Sequence, residues 1–459
     1  MPELKTVNPA TEETIETFKT MSDDEVTRTI KDCDAAFRDW RERTPEDRAP
    51  ILKAIGQALR DNKAELGDLM SREMGKLRQQ SDSEVELCAA ICDWTAEQGP
   101  KALADEERPL ESGKRGIVSH RPVGVIYGIQ PWNFPVYQVI RYSIANLMAG
   151  NGVLLKHAEA CTGSGRYLET LYRDAGLPEN LFRQLRITHD QSDDVIGHDL
   201  VRGVTLTGSP GAGAHVAQVA GKALKKTVLE LGSNDAYIVL EDADLDRAVK
   251  ACVTGRIFNN GETCVAAKRF IVVDAIYDEF RDAFVKAMEA LEAGDPFDTA
   301  SGLGPMARSD LRDDLHEQVE QSVAKGAKIL CGGKMPDGKG FYYPATVLDE
   351  VAPGMPAYDD ELFGPVASLI RAKDEDDAMR LANDSRFGLG GGIFTKDVDR
   401  AVRLARDRFD TGMIFVNGFG LAAANMPFGG VKNSGYGREH GGFGMKEFVN
   451  SKAIHIMAE

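Results

Sequence analysis

The stretch FNNGETCVAAKRF, Phe258 to Phe270, places one cysteine, Cys264, between a turn and an apolar run. Asn259, Asn260 and Gly261 favour tight or left-handed backbone geometry, which lets a thiol project into a cleft instead of packing into a core. Lys268 and Arg269 follow closely, and their charges are expected to favour a thiolate. Alone, the stretch fits two descriptions: a nucleophile, or the small buried hydrophobe that most free cysteines are. A second chemical candidate is Glu230 in VLELGSND, Val228 to Asp235, a carboxylate inside an otherwise apolar strand. Such surroundings raise a carboxyl pKa, as a general base requires, and a structural ion pair is the competing role. A third is Asn133 in QPWNFP, Gln130 to Pro135, where two prolines fix the backbone around an amide at a strand-to-helix junction. Such an amide either donates to a developing oxyanion, typically worth about 2.7–4 kcal/mol, or caps the next helix.

Other segments offer binding groups. VLLKHAE, Val153 to Glu159, ends a buried strand with Lys156 and Glu159 at its carboxyl edge, where both side chains can bond ribose hydroxyls. TLTGSPGAG, Thr205 to Gly213, is a glycine-rich strand-to-helix turn suited to bringing a pyrophosphate against free N–H groups. It is not G-x-G-x-x-G, and by itself the signal is weak. Glu361 and Phe363 precede a Gly-Pro turn, and the glycines of PFGGVKNSGYGREHG suggest a loop pressed against another surface. Cys88 and Cys92 lie four apart on a helical face with no further ligand nearby, so core packing outweighs a metal pair.

These residues need a scaffold. From Asp23 to Gly75 apolar residues recur at three- and four-residue spacing, and Ser81 to Ala102 is helical again. A charged link, Asp105 to Gly116, leads into alternating elements, with strands expected at Val123–Ile129, Gly152–Lys156, Leu181–Ile187, Gly203–Thr207 and Thr227–Leu231. Such alternation implies right-handed crossovers and a parallel sheet covered on both faces. A second alternating series runs from Ala236 to about Met426, with helices near Ile276–Glu292, Ser309–Lys325 and Glu375–Asp384. Phe448 to Met457 reads as a strand with no neighbouring hairpin partner, and so as one that pairs elsewhere, with a second subunit as one option.

The totals fit a multi-domain globular protein: 459 residues, 42% hydrophobic and 28% charged. A net charge of −17 argues against nucleic acid and anionic membrane surfaces as partners. Seven scattered cysteines without a C-x-x-C pair indicate neither a zinc site nor a disulfide framework. With no apolar leader in MPELKTVNPATEET and no membrane-length apolar run, a cytoplasmic protein is expected.

Taken together and in this order, PWNFP, LLKHAE, TGSPGAG, LELGSND, GETC, ELFGPV and PFGGVKNSGYGRE resemble the NAD(P)-dependent aldehyde dehydrogenase superfamily over nearly the whole chain. REMGK, CDWTAEQGP, PWNFPxxQVxR, ALKKxVLELG and AAKRFI are similar to its bacterial succinate-semialdehyde dehydrogenase branch. The resemblance implies an α/β fold with a Rossmann-like cofactor domain (1–107 and 123–231), a catalytic domain (232–427) and a β oligomerisation arm (108–122 and 428–459). It implies Cys264 as nucleophile, Glu230 as base and Asn133 as oxyanion donor. For the cofactor it implies Trp132, Lys156, Glu159, Gly208, Ser209, Gly213, Glu361 and Phe363, with NAD preferred to NADP because Glu159 repels a 2′-phosphate. Arg141, eight residues beyond Asn133 and about 12 Å along a regular helix, would hold the distal carboxylate of a short semialdehyde unless a structural acid pairs with it. A homodimer or homotetramer is expected. Two departures stand out: His157 where the family usually has proline, and Ser233 where it usually has a second glycine.

Overall fold

The computed structural model describes residues 3–111 and 114–458; the expected segment limits at 1–2, 112–113 and 459 lie outside them. The first helical region divides where its sequence carries stop and start signals. Ser22 and Glu25 form a capping box for the helix Asp23–Trp40, and Thr44 with Asp47 does the same for Pro45–Asp61, whose first residue is proline. The helix Lys63–Met74 ends at Gly75, whose φ of +78° is left-handed, and Arg78–Ala102 follows. Cys88 and Cys92 are fully buried in the core these helices share with the helix Tyr137–Ala149.

A six-stranded sheet runs in the order Gly435–Tyr436, Lys226–Glu230, Val201–Thr207, Val125–Gln130, Gly152–His157, Phe182–Gln184. Four of its five pairings are parallel, and only the short Gly435–Tyr436 strand pairs antiparallel. The chain starts in the middle at Val125–Gln130, moves outward one way, then returns to the other side at Val201–Thr207. Strand order therefore reverses beside Val125–Gln130, and the crevice at the carboxyl ends there is where such sheets bind ligands. The expected Leu181–Ile187 strand shortens to three residues at this sheet's edge.

A seven-stranded sheet holds Lys328–Cys331, Thr346–Asp349, Val366–Ala372, Arg269–Val273, Ala236–Val239, Gly391–Phe394 and Phe415–Val416 in that order, parallel except at Lys328–Cys331. Apolar clusters cover both of its faces, which is why its central strands are continuous apolar runs. The terminal strand pairs elsewhere, as expected, and does so within the chain. Val449–Ile456 pairs antiparallel with Arg115–Pro122 from Val449↔Pro122 to Ile456↔Arg115, with Glu106–Pro109 beyond. A pairing over more than three hundred residues leaves no local turn signal to read. The outer edge of Val449–Ile456 carries no further strand among the described residues. No helix among them is long and apolar enough to cross a membrane.

Two glycines predict opposite responses to alanine. At Gly75 an added Cβ would meet the Pro305 carbonyl oxygen at 2.3 Å in a left-handed conformation. Gly75→Ala is expected to lower stability by about 1–3 kcal/mol, seen as an earlier urea midpoint. Gly221, in the exposed helix Pro210–Lys222, would meet nothing within 4 Å, and Gly221→Ala is expected to gain about 0.5–1 kcal/mol.

Candidate active site

Cys264 stands at the end of a turn that only certain residues can make. Asn259, Asn260 and Gly261 are all left-handed, with φ of 55°, 57° and 76°. Asparagine tolerates this region and glycine prefers it. Gly261 is also pressed against the next segment: a Cβ there would meet the Gly364 carbonyl at 2.3 Å, so the ELFGPV turn is seated directly on the nucleophile turn. Both asparagine amides then bind backbone from other parts of the molecule. Asn259 Nδ2 donates to Asn133 O (2.8 Å) and Glu262 O (3.1 Å), and Asn260 Nδ2 donates to Gly75 O (3.1 Å) and Pro305 O (2.9 Å).

Asn133 is buried and does not cap the following helix. The Glu84 carboxylate accepts from Val136 N and Tyr137 N instead, at 2.9 Å each, while Lys76 pairs with Glu84 and lies 3.8 Å from the Phe134 ring centre. The Asn133 amide donates one hydrogen to Glu262 O (3.1 Å), two residues before Cys264, and accepts from Gln138 Nε2 (3.3 Å), which leaves its second N–H for another acceptor.

Glu230, at the end of Lys226–Glu230, is buried, and neither carboxylate oxygen has a hydrogen-bond partner among the described residues. It is therefore not the structural ion pair that was its alternative. Burial raises its pKa well above the ordinary carboxylate value, against the pull of Arg141. The Cys264 thiol is pushed up to about 11, first by burial; Arg141 and Lys268 pull it down, while Glu361 and Glu230 push it further up. These groups thus share one low-dielectric site. A cavity of ≈ 50 Å³ opens beside Cys264, lined by Phe134, Tyr137, Phe258, Leu421 and Phe428 with Gln80, Gln138 and Thr263 among its polar members.

The structure corrects one expectation and narrows another. Arg269 is turned away from Cys264, donating to Asn234 O, Leu381 O and Ala382 O at 2.9–3.0 Å. It begins the strand Arg269–Val273, where neighbouring side chains point to opposite faces, and of the two only Lys268 turns toward Cys264, its ammonium on the Cys264 carbonyl oxygen. Arg141 does not present an open fork to the cavity. Its Nε is paired with Glu439, Nη2 donates to Thr207 Oγ1 (2.7 Å), and the Tyr137 and Phe428 rings lie at 5.3 and 4.7 Å from the guanidinium carbon. Glu439 lies in the glycine-rich loop, so the sequence carried its position but not its pairing.

The residues expected around a dinucleotide gather at the carboxyl ends of the six-stranded sheet. Lys156 ends Gly152–His157, and the exposed Glu159 follows it, one carboxylate oxygen accepting from Lys5 N (3.1 Å) of the first hairpin. Gly208 and Ser209 lie between Val201–Thr207 and the helix Pro210–Lys222, with Ser209 capping that helix. Gly213 is buried one turn in, where a Cβ would meet Leu231 at 2.6 Å, so it permits close helix-to-sheet packing and does not face the turn. Across the crevice Trp132 and Phe363 meet edge to face at 5.7 Å, and Glu361 with Phe363 lines a further cavity of ≈ 420 Å³. A helix N-terminus, a lysine and two carboxylates are the donors and acceptors that a pyrophosphate and two riboses require, so the residues present fit such a group.

Comparison with known proteins agrees with this geometry. The family model described as "Aldehyde dehydrogenase family" matches residues 2–454. The chain is 45% identical to a succinate-semialdehyde dehydrogenase (NADP+) of Deinococcus radiodurans, over 98% of this chain and 94% of the relative. It is also 45% identical to the succinate semialdehyde dehydrogenase (NAD(P)+) Sad of Escherichia coli, over 98% and 96%. The crystal structure of succinic semialdehyde dehydrogenase from Streptococcus pyogenes in complex with NADP+ superposes with a TM-score of 0.96 at 36% identity, covering 99% of each chain. The thiol, carboxylate and amide that meet at this crevice stand in a chain that belongs to the aldehyde dehydrogenase family.

Proposed function

We propose that this protein oxidises succinate semialdehyde to succinate with a nicotinamide dinucleotide, Cys264 acting as nucleophile, Glu230 as base and Asn133 as oxyanion donor. The observation that carries the reading is the buried, unpartnered Glu230 carboxylate whose charge reaches the Cys264 thiol. At pH 7 a thiol with a pKa near 11 is ionised about once in ten thousand molecules, so the attack on the aldehyde carbon needs a proton acceptor. Glu230 is that acceptor. The free Asn133 N–H and the Cys264 N–H bind the oxygen that becomes negative, and the nicotinamide, when bound, supplies the acceptor for the departing hydride. Cys264 is left as a thioester. Glu230, having passed its first proton to solvent, takes a proton from the water that attacks the thioester carbon, and hands it to the departing sulfur as the acid is released.

Lys156 and Glu159 are assigned to the adenosine ribose, the turn at Gly208 and Ser209 to the pyrophosphate, Gly213 to the packing beneath it, and Glu361 with Trp132 and Phe363 to the nicotinamide side. The named relatives are NADP+ or NAD(P)+ enzymes, so a preference of this chain for NAD rests on the Glu159 carboxylate alone. The substrate is proposed from those relatives together with Arg141, whose Nη1 is bonded to no acceptor among the described residues and whose guanidinium packs on the Tyr137 and Phe428 rings that line the cavity. Residues 1–107 with 123–231 are proposed as the cofactor lobe and 232–427 as the catalytic lobe. The open edge of Val449–Ile456 supports a homodimer or homotetramer, and seven free cysteines support the cytoplasm.

Four measurements test this reading. Glu230 acts only when ionised, so kcat is expected to rise with pH through its raised pKa. Glu230→Gln should slow NADH release in the first turnover as well as in the steady state, by about 10²–10⁴-fold; an unchanged first turnover would refute its role as proton acceptor. Comparing kcat/KM for the two cofactors should favour NAD, and Glu159→Gln, which keeps an acceptor for Lys5 N, should shrink that preference; a wild-type preference for NADP overturns it. Across aldehydes of matched length, those with a distal carboxylate should be preferred, and Arg141→Ala should raise KM for succinate semialdehyde about tenfold, or 1.4 kcal/mol, while sparing a neutral aldehyde. Equal use of both classes would remove the substrate assignment.

A further inference from the structure

Ser233 is the departure from the family pattern for which the mechanism has no use, and Lys268 is the charge beside Cys264 that it leaves unassigned. In the structure the two belong to one closed network. The Lys268 ammonium is buried with its side chain 1% exposed, and it has three neighbours: Ser233 Oγ at 2.8 Å, Cys264 O at 2.5 Å and a Glu361 carboxylate oxygen at 3.0 Å. An ammonium has three N–H donors, so every one is used. Ser233 closes the ring, its hydroxyl donating to Cys264 O and its N–H donating to the same Glu361 oxygen at 3.1 Å. Glycine at 233 would leave Cys264 O with one of these two side-chain donors. The carbonyl they hold belongs to the nucleophile itself, so its position sets where the thiol points.

We propose that Lys268 is a positioning residue that couples the cofactor-facing carboxylate Glu361 to the nucleophile through the main-chain carbonyl of Cys264, with Ser233 as the second arm of the clamp. The inference rests on the reading of Cys264 as nucleophile and Glu361 as a cofactor ligand. Glu361 now shares its charge with Lys268. Once Glu361 accepts hydrogen bonds from a ribose diol, less of that charge offsets the ammonium, and the field of Lys268 at Cys264 grows. The nucleophile thereby registers whether the neighbouring subsite is filled. Asp235, buried one residue beyond Asn234, also feels Lys268, and the charges of Arg141 and Glu230 act on the thiol as well.

Thiol alkylation reads this coupling without turnover. Cys264 is the one cysteine of the seven that is not buried, so iodoacetamide labelling followed by peptide mass spectrometry isolates it. In the cofactor-free protein, Lys268→Met is expected to move the pH midpoint of Cys264 labelling upward by about one unit, a tenfold slower reaction at fixed pH. An unchanged midpoint would reduce Lys268 to a structural cation. The ratio of labelling rates with and without saturating NAD should then differ between wild type and Lys268→Met, because any shielding by NAD acts on both alike. Identical ratios, with NAD binding to both confirmed by calorimetry, overturn the coupling and leave the catalytic assignment standing; failure of wild type to bind NAD at all strikes at the assignment instead. Ser233→Ala keeps the charge and removes one arm, and should move the NAD ratio in the same direction by less, which retains the test if Lys268→Met folds poorly.

Discussion

Three consecutive left-handed residues before the nucleophile are the constraint on which the site depends. A run of positive φ costs energy at every non-glycine position, and Asn259 and Asn260 offset that cost with buried hydrogen bonds that no apolar residue could make. Their amides reach the PWNFP loop on one side and the Gly75 and Pro305 carbonyls on the other. The turn that projects Cys264 is therefore also a joint between the two sheets, and the same bonds fix the Cys264 segment against the segment of Asn133.

Around that joint the protein buries more charge than a stable core would choose. Lys76 with Glu84, Arg141 with Glu439 and Lys268 with Glu361 are each paired, whereas Glu230 is left unpaired. Replacing such pairs by apolar residues often stabilises a protein, so their retention indicates a use. Here Glu84 satisfies the N–H groups that begin the helix after Asn133, and Lys76 lies over Phe134. Arg141 and Lys268 bring positive potential to a thiol that burial alone would keep protonated. The unpaired Glu230 carboxylate has no donor nearby to stabilise its charged form, so burial raises its affinity for a proton.

How far the sequence revealed this depends on the range of each interaction. Cys264, Glu230 and Asn133 were visible because each is chemically out of place in its own few residues: a thiol after a turn, a carboxylate in a strand, an amide between prolines. The alternation of strands and helices announced two parallel sheets for the same local reason. Partners distant in sequence were invisible. Nothing near Arg141 announces Glu439, 298 residues on by subtraction (439 − 141), and nothing near the tail announces Arg115–Pro122. The misplaced role for Arg269 was avoidable, since adjacent residues entering a strand must face opposite ways and only one of Lys268 and Arg269 could reach the thiol.

The two departures from the family pattern share a physical logic. A proline at 157 would fix the backbone after the strand but bond to nothing. His157 is buried, with its pKa lowered to about 4 by burial, so the ring is neutral and both nitrogens have fixed duties. Nε2–H donates to Pro135 O and Nδ1 accepts from Ala158 N, each at 2.9 Å. The ring thus ties the strand end carrying Lys156 and Glu159 to the loop carrying Trp132 and Asn133. At 233 a hydroxyl replaces a residue with no side chain, accepting from Lys268 Nζ and donating to Cys264 O. In both places a side chain that could only shape the backbone is exchanged for one that bonds two segments, so the cofactor subsite and the thiol subsite become parts of one rigid element, and a displacement at either must be felt at the other.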